Sequence, residues 1–353
     1  MDSIYVYIIF FISIFLFSLF LNSFFLKKSK KYTLIKANQG GIRWRKQSKP
    51  VFGGITFYTA FLFTAIAFIF IWKDTDYLNP KNIGFALIIT LSFIMGLADD
   101  IINTSPYFKF FVQILNAVIL INFDIYIDVF SNIYLNYGLT ILWIVGIMNS
   151  INMLDNMDAI TSLTIITIIL GILANIFLLN NLDANFLSII LCFGILSVLI
   201  GFLFFNWAPS KLYMGDSGSQ FLGAFIACIS IIYIWNNPQI QTQDTPTINI
   251  IAIFLAFLIP LTDTTTVFIN RLLKKKSPFV GGKDHTTHHL FYLGFNEHKI
   301  AIILFSLSLI SVFFSVYLIN FKTTLLLKIV FISYAFIVFL LLYLNTRFSK
   351  PKD

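Results

Sequence analysis

Long uninterrupted apolar segments are the feature that most constrains the fold of this chain. Eleven of them are long enough to cross about 30 Å of hydrocarbon as helices. They occupy residues 4–26, 51–72, 83–98, 108–123, 133–149, 160–179, 185–205, 218–235, 248–269, 300–320 and 324–346. Because 58% of the 353 residues are hydrophobic and only 11% are charged, the polar groups are too few to cover a soluble globule of this size. The sequence therefore predicts an all-α integral membrane protein, with residues 1–353 forming a single polytopic domain.

The distribution of basic residues predicts how this protein is oriented in the membrane. Eleven crossings place the termini on opposite sides, so the loops fall into two sets. One set holds 20 of the 24 Lys and Arg residues and consists of 27–50, 99–109, 150–159, 206–217, 270–299 and 347–353. Since cytoplasmic loops carry the excess of Lys and Arg, this set is predicted to be cytoplasmic, with the N-terminus outside and the C-terminus inside. The net charge of +8 is spread through short loops and does not indicate nucleic-acid binding.

Two adjacent carboxylates end the third apolar segment, in the sequence G-L-A-D-D. Asp99 and Asp100 repel each other there and oppose the dipole of a helix C-terminus. A divalent metal, a proton or a basic neighbour must offset this repulsion, which favours a functional role over an ordinary helix end. Lys109 begins the next span, either as a phosphate contact or as an interfacial anchor.

A second polar group follows the fifth segment, in the sequence N-S-I-N-M-L-D-N-M-D-A-I. Asn149, Asn152, Asp155 and Asp158 are spaced by three, which on a helix places them along one stripe. Such a stripe leaving a bilayer is costly unless it faces water or a ligand. Its donors and acceptors suit a nucleotide base and sugar, although a simple turn is the alternative.

The segment before the eighth span reads F-N-W-A-P-S-K-L-Y-M-G-D-S-G-S. Gly215 and Gly218 allow close approach of a ligand to the backbone, and Asp216 lies where a helix begins. A Mg²⁺ ion shared with a diphosphate would satisfy both the helix N-terminus and the carboxylate. The alternative is that Asp216 is an ordinary N-cap.

All four histidines lie in the polar segment 270–299. In the sequence D-H-T-T-H-H-L, His285, His288 and His289 would lie near one face of a helix. No Cys accompanies them and there is no H-E-x-x-H pattern, so binding of oxyanions suits them better than zinc. His298 stands apart and is interpreted as a surface residue.

These motifs, in this order, resemble the polyprenyl-phosphate N-acetylhexosamine-1-phosphate transferases. The resemblance covers residues 43–294 and includes the shorter sequences K-P-V-F-G-G-I, I-P-L-T-D and R-L-L. It implies an integral membrane enzyme that moves N-acetylglucosamine 1-phosphate from UDP-GlcNAc to undecaprenyl or another polyprenyl phosphate and releases UMP. It also implies a place in the bacterial cytoplasmic membrane, at the first membrane step of a surface polysaccharide such as O-antigen or teichoic acid.

The same resemblance implies roles for individual residues and a cofactor. The cofactor is Mg²⁺, with Mn²⁺ as the alternative, and its predicted ligands are Asp216 and Asp100. The catalytic carboxylates are Asp99, Asp100 and Asp216. The predicted contacts to the UDP-N-acetylhexosamine and the lipid phosphate are Lys109, Asn152, Asp155, Asp158, Arg271, His285, His288 and His289. A homodimer is compatible with this picture, but the sequence does not fix the oligomeric state.

Two departures from the family pattern bear on the substrate. The sequence has Asn156 and Ala159 where the family often has glycines, which changes the backbone near the predicted sugar contacts. In the group that uses UDP-MurNAc-pentapeptide, the last loop has a sequence similar to P-x-H-H-H-x-E. This chain has D-H-T-T-H-H-L there. The phospho-MurNAc-pentapeptide transferase is therefore the alternative within the enzyme class. A membrane transporter, which would carry its charges at mid-span, is the alternative from another class.

Overall fold

The computed structural model describes residues 3–29, 49–71, 79–179, 185–237, 245–277 and 282–349. Within these ranges the chain is helical, and its β-type pairing is limited to one bridge between Val51 and Tyr213. The all-α part of the prediction is confirmed. Most of the predicted loop 27–50, part of the loop 270–299 and the last four residues lie outside the described residues.

Thirteen α-helices follow one another along the described part of the chain. They are α1 (Ser3–Ser29), α2 (Gly53–Ile71), α3 (Pro80–Ile102), α4 (Pro106–Asn122), α5 (Ile133–Leu154), α6 (Ile160–Leu178), α7 (Phe186–Asn206), α8 (Gly215–Ser230), α9 (Thr245–Ala256), α10 (Leu258–Leu273), α11 (Thr286–Tyr292), α12 (Glu297–Asn320) and α13 (Leu325–Phe348). A π-helical turn, Ile231–Trp235, continues α8. Each predicted span corresponds to one helix, except that α9 and α10 share the ninth and α11 lies in the predicted loop 270–299.

Eight helices in the described residues are long and apolar enough to cross a membrane. A ninth crossing is added if α9 and α10, which meet at an angle of 82°, form one broken span. The apolar parts of α2 and α4, Gly53–Ile69 and Pro106–Asn122, are shorter. Because a helix rises about 1.5 Å per residue, these two reach about 26 Å, slightly less than the hydrocarbon core. The predicted count of eleven spans therefore stays a prediction.

Two serines of a neighbouring helix donate to carbonyl groups near the break between α9 and α10. Ser311 and Ser315 of α12 donate their hydroxyl protons to the carbonyl oxygens of Leu255 and Ala252, each at 2.7 Å. A membrane interior offers no water to the last carbonyls of a helix, so such side-chain donors make the break tolerable.

The connection between α3 and α4 is short because both helix ends are specified locally. Asn103, with a φ of 53°, ends α3, and the Ser105 side chain accepts a hydrogen bond from the Phe108 amide at the start of α4. Pro106 has the fixed φ that suits the first helical position. This tight turn brings the end of α3 beside Lys109 in the first turn of α4.

The buried helix α8 lies at the centre of the bundle and packs against α2, α3 and α5. Its first turn approaches α3 so closely that a Cβ atom at Gly96 would lie 2.3 Å from the Asp216 carbonyl oxygen. On the other side, a Cβ at Gly54 of α2 would lie 2.3 Å from the Gly218 nitrogen. These two glycines therefore fix the start of α8 against the ends of its neighbours.

We expect Ala159→Gly to raise the free energy of unfolding by about 0.5–1 kcal/mol. Ala159, just before α6, has a φ of 67°, and an L-residue pays roughly 1–2 kcal/mol in this left-handed conformation. Part of the gain is lost to the greater freedom of glycine in the unfolded chain. Thermal unfolding in detergent measures the change.

The matched control is Ala117→Gly in the interior of α4, which should lower stability by about 1 kcal/mol. Equal losses in both variants would contradict relief of backbone strain at position 159.

Candidate active site

One lysine lies between two carboxylates at the junction of α3, α4 and α8. The Lys109 Nζ atom is 2.6 Å from Asp99 Oδ2 and 2.7 Å from Asp216 Oδ2. The Thr104 hydroxyl also donates to Asp99 Oδ1 at 2.7 Å. The side chain of Asp99 is 8% exposed and that of Asp216 is 29% exposed, so Asp216 is the more accessible carboxylate. The predicted basic neighbour of the acidic pair is therefore Lys109.

Asp100 makes different contacts from Asp99 although the two are adjacent in sequence. Its Oδ1 accepts the Asp216 amide at 3.0 Å, and its Oδ2 accepts the Ser217 amide at 3.0 Å and the Ser217 hydroxyl at 2.7 Å. The first amides of a helix have no partner within the helix, so a carboxylate here satisfies them and complements the dipole. Gly215, with a φ of 74°, leaves room for Asp100, since a Cβ there would lie 2.7 Å from Oδ2.

Asn152 links α5 to the same cluster. Its side-chain amide donates to Asp216 Oδ1 at 3.0 Å and to the Ser219 hydroxyl at 2.8 Å. One turn earlier, Asn149 and Gln113 of α4 exchange hydrogen bonds of 2.7 and 3.2 Å. The first half of the predicted stripe therefore faces α4 and α8.

The prediction that Asp155 and Asp158 continue this stripe on the helix is wrong, because α5 ends at Leu154. Asp155 is the residue that caps the helix, and Asp158 lies in the turn before α6. The Asp158 carboxylate accepts the Ser210 amide and the Ser210 hydroxyl, each at 2.8 Å. The Lys49 ammonium donates to the same Ser210 hydroxyl at 3.2 Å.

The histidine segment forms the short helix α11, which a buried carboxylate of α10 anchors. Asp263 is fully buried, and it accepts the Thr286 amide at 2.8 Å and the Thr286 hydroxyl at 2.7 Å. Its other oxygen is 2.8 Å from the Nδ1 atom of His285. His285 is therefore the residue that precedes α11, and only His288 and His289 of the predicted histidine face lie within the helix.

Arg271 and Asp284 form a two-pronged ion pair at the end of α10. The Arg271 Nε and Nη2 atoms donate to the two oxygens of Asp284 at 2.8 and 2.7 Å. Burial pushes the pKa of Asp284 upward, but the hydrogen bonds and charge of Arg271 outweigh it, so the pKa lies below its usual value. Arg271 is therefore held in place by its own carboxylate partner.

The two histidines within α11 are buried, and burial lowers the pKa of each. For His288, burial with a contribution from the neighbouring His285 lowers the pKa to about 3. For His289, burial lowers the pKa by more than the hydrogen bond with Ser349 raises it. The Nδ1 atom of His289 is 2.7 Å from the Ser349 hydroxyl, which ties α11 to the end of α13. The ring of His288 is therefore neutral at pH 7.

A hydrogen bond joins the histidine helix to the turn that follows α5. The Thr287 hydroxyl donates to Asn156 Oδ1 at 2.5 Å, and the Asn156 side-chain amide donates to the Met153 carbonyl at 2.9 Å. Asn156 follows Asn152 by four residues, so this bond joins α11 to the turn just beyond the Asn152 contact with Asp216. The structure thus brings together motifs that lie more than 100 residues apart.

Three of the residues that build this arrangement, Asp263, Thr287 and Ser349, have no role assigned to them from the sequence. Asp263 ends the sequence I-P-L-T-D, and its need for partners could have been expected, since a carboxylate within an apolar helix is costly. Thr287 and Ser349 have no such signal, because polar residues of this size are common in loops and at helix ends.

The carboxylates fit a hard divalent cation better than the histidines fit zinc. Among the described residues, no three His, Cys, Asp or Glu side chains form a metal-binding group. Asp99 and Asp216 nevertheless lie close enough to share one cation, here the Lys109 ammonium. Mg²⁺ commonly takes one or two carboxylates and completes its shell with water and substrate phosphates. The donor set therefore fits Mg²⁺ in the presence of a phosphate ligand.

The part of the chain that holds this carboxylate cluster is similar to known proteins. Residues 82–234, which run from α3 to the π-helical turn after α8, match the family described as glycosyl transferase family 4. This range contains Asp99, Lys109 and Asp216 and most of their contacts.

Three curated relatives have similar sequences. A probable undecaprenyl-phosphate N-acetylglucosaminyl 1-phosphate transferase of Bacillus subtilis (strain 168) is 27% identical over 256 residues, covering 70% of this chain and 68% of that protein. An undecaprenyl-phosphate alpha-N-acetylglucosaminyl 1-phosphate transferase of Thermotoga maritima is 28% identical over 220 residues, covering 62% and 64%. A phospho-N-acetylmuramoyl-pentapeptide-transferase of Staphylococcus carnosus (strain TM300) is 28% identical over 296 residues, covering 76% and 84%. These matches confirm the resemblance inferred from the motifs and support the family described as glycosyl transferase family 4.

Proposed function

We propose that the protein transfers N-acetylglucosamine 1-phosphate from UDP-GlcNAc to undecaprenyl or another polyprenyl phosphate and releases UMP. The observation that carries this proposal is the cluster of Asp99, Lys109 and Asp216 at the ends of apolar helices. A lipid phosphate and a water-soluble nucleotide meet where such helices leave the membrane. The names of the Bacillus and Thermotoga relatives support the same donor and acceptor.

The reaction requires two anions to approach each other. An oxygen of the lipid phosphate forms a bond to the phosphorus that carries the sugar, and the bond from that phosphorus to the bridging oxygen of UMP breaks. Lys109 and Arg271 offer positive charge near the reacting groups, and in each case a carboxylate fixes the side chain. Asp99 is placed by Thr104 and Lys109, so it positions the acceptor phosphate or takes up its remaining proton.

The proposal includes Mg²⁺, with Mn²⁺ as the alternative. Asp216 is its best-placed ligand, because it is the more exposed carboxylate, with Asp99 or Asp100 as the second acidic residue. The contacts of Asp100 with the first amides of α8 favour Asp99 for this second position. When bound, the ion would offset charge on the donor diphosphate and on the leaving UMP.

The remaining predicted substrate contacts divide into two groups. Asn152, Asp155 and Asp158 lie at the end of α5 and in the following turn, which we assign to the nucleotide-sugar. His285, His288 and His289, with Arg271, lie around α11, which we assign to the diphosphate. The bond between Thr287 and Asn156 places these groups side by side.

We also propose eleven membrane crossings, with the N-terminus outside, the C-terminus inside and the site at the cytoplasmic face of a bacterial cytoplasmic membrane. This orientation is supported by the basic residues, because 20 of the 24 in the chain lie in the set of loops predicted to be cytoplasmic. The ends of α3 and α5 and the starts of α4 and α8 meet in one cluster, as expected if successive helices alternate in direction. The homodimer remains part of the proposal.

The second candidate is a phospho-MurNAc-pentapeptide transferase. The Staphylococcus relative with that name aligns over 84% of its length, a larger share than either of the two N-acetylglucosaminyl relatives. The sequence D-H-T-T-H-H-L favours UDP-GlcNAc as the donor. Under this preferred assignment, the product enters a surface polymer such as O-antigen or teichoic acid.

A donor assay in detergent tests the proposal. With undecaprenyl phosphate and Mg²⁺, we expect release of UMP from UDP-GlcNAc and none from UDP-MurNAc-pentapeptide. Chelation with EDTA should abolish release, and added Mg²⁺ should restore it. Release of UMP with UDP-MurNAc-pentapeptide alone would reject the preferred donor in favour of the second candidate.

We expect Asp99→Asn, Asp216→Asn and His289→Ala each to reduce kcat at least about tenfold, equivalent to roughly 1.4 kcal/mol of barrier. The two Asp changes remove charge that Lys109 or the metal ion requires, and the His change removes a ring that α13 holds in place. Steady-state UMP release measures the effect. Asp128→Asn is the control and should keep its turnover, because Asp128 is exposed in the loop between α4 and α5, at the opposite ends of these two helices from the cluster. Turnover like the wild type in two of the three variants would refute the site.

The stability of the protein should fall as the pH decreases below about 6.5. The pKa of His288 is about 3 in the folded protein and ordinarily 6.5, so protonation favours the unfolded chain. The stabilisation is complete above pH 6.5 and declines toward pH 3, by about 2 kcal/mol at pH 5. Thermal unfolding of His288→Gln should show a smaller loss between pH 7 and pH 5, whereas the exposed control His298→Gln should keep the slope of the wild type. An unchanged slope in His288→Gln would contradict a buried neutral ring.

A further inference from the structure

The helix that carries the histidines depends on its neighbours for its position. Helix α11 has seven residues, and isolated helices shorter than about 12–15 residues are marginal in water. Its contacts therefore decide where the rings of His288 and His289 lie. Asp263 anchors its first residues to α10, and Ser349 anchors His289 to the end of α13.

Neither of these anchors connects α11 to the segment assigned to the nucleotide-sugar. A hydrogen bond from the Thr287 hydroxyl to Asn156 Oδ1 makes such a connection. Thr287 is fully buried and Asn156 is half-buried, so loss of one partner would leave a polar group with little access to water. The other bond of Asn156, to the Met153 carbonyl, ties the amide to the last turn of α5.

The turn that contains Asn156 also carries the two carboxylates that follow α5. Asp155 immediately precedes Asn156, and Asp158 follows two residues later. Asn152, which donates to Asp216, lies one turn earlier on α5. A shift of this turn would therefore change the distance between the nucleotide-sugar contacts and the histidines.

We propose that Asn156 and Thr287 are positioning residues that couple the turn after α5 to α11, so that the two halves of the donor site bind the UDP-sugar as one unit. The proposal rests on the proposed function for its choice of donor, UDP-GlcNAc. We expect this hydrogen bond to affect binding of the UDP-sugar, because the two segments that it joins lie on either side of that substrate. It does not touch the cluster of Asp99, Lys109 and Asp216, so the chemical step is affected less.

Steady-state kinetics of a double-mutant cycle test the coupling. Thr287→Val removes the hydroxyl at nearly constant volume, and Asn156→Ala removes its acceptor. Each change should raise KM for UDP-GlcNAc about fivefold or more and keep kcat within about twofold. The double variant should be no worse than the poorer single variant, since all three lack the same bond. Thr287→Ser, which retains the donor, should restore KM to within about twofold of the wild type.

The matched control is Thr264→Val. The Thr264 hydroxyl also makes a hydrogen bond between helices, to Ser150 of α5 at 2.8 Å, and this bond joins α10 to α5 instead of α11. Its KM should stay within about twofold of the wild type. Additive effects of the two changes, an unchanged KM in Thr287→Val, or an equal rise in Thr264→Val would each overturn the proposal.

Amide hydrogen exchange without substrate tests the same coupling independently of the reaction. Thr287→Val should speed exchange in the turn 155–158, and Asn156→Ala should speed exchange in α11, because each change releases the segment across the bond. Unchanged exchange across the bond in both variants would overturn the coupling. If the wild type releases no UMP from UDP-GlcNAc, the proposed function fails, and this exchange measurement alone decides whether the two segments are coupled.

Discussion

The contact between Asp100 and the first amides of α8 is the interaction on which the rest of the site depends. Helix α8 lies buried between α2, α3 and α5, so its starting point fixes where Asp216 and Ser219 lie. The carboxylate satisfies three donors at the place where the helix dipole is positive. The pair Asp99 and Asp100 therefore divides two tasks, since one residue builds the helix start and its neighbour faces Lys109.

The membrane explains why polar contacts identify the site so clearly. Within hydrocarbon, a polar group without a partner is expensive, so those that remain are paired or placed toward water. The serines of α12 illustrate the structural use, because they donate to carbonyl oxygens in the last turns of α9. Asp99, Lys109 and Asp216 differ from these serines, since they bring formal charges together at the helix ends. Their arrangement costs desolvation and is consistent with a site for a charged ligand.

The sequence predicted which residues would meet but not how each would be bound. Charge counting placed Asp99, Asn152, Asp216 and the histidine segment on one side, and the structure brings them into contact through Lys109, Asn152 and Thr287. The predicted helical stripe does not continue beyond Leu154, because spacing by three does not show where a helix ends. The anchoring of α11 by Asp263 also could not be derived, since it depends on how α10 emerges from its break with α9. Local spacing therefore indicated which polar side chains would come together, whereas long-range packing determined their partners.

The two parts of the site differ in how their charges are held. In the carboxylate cluster, one ammonium is shared by two acidic side chains, so arrival of a metal ion or a phosphate would change the partners of Lys109. Around α11, Arg271 is already paired with Asp284 through two hydrogen bonds, and His288 is buried and neutral. We therefore expect the histidine side to change little when a ligand binds. The carboxylate side must rearrange its charges, and for that reason we place the chemical step beside Lys109.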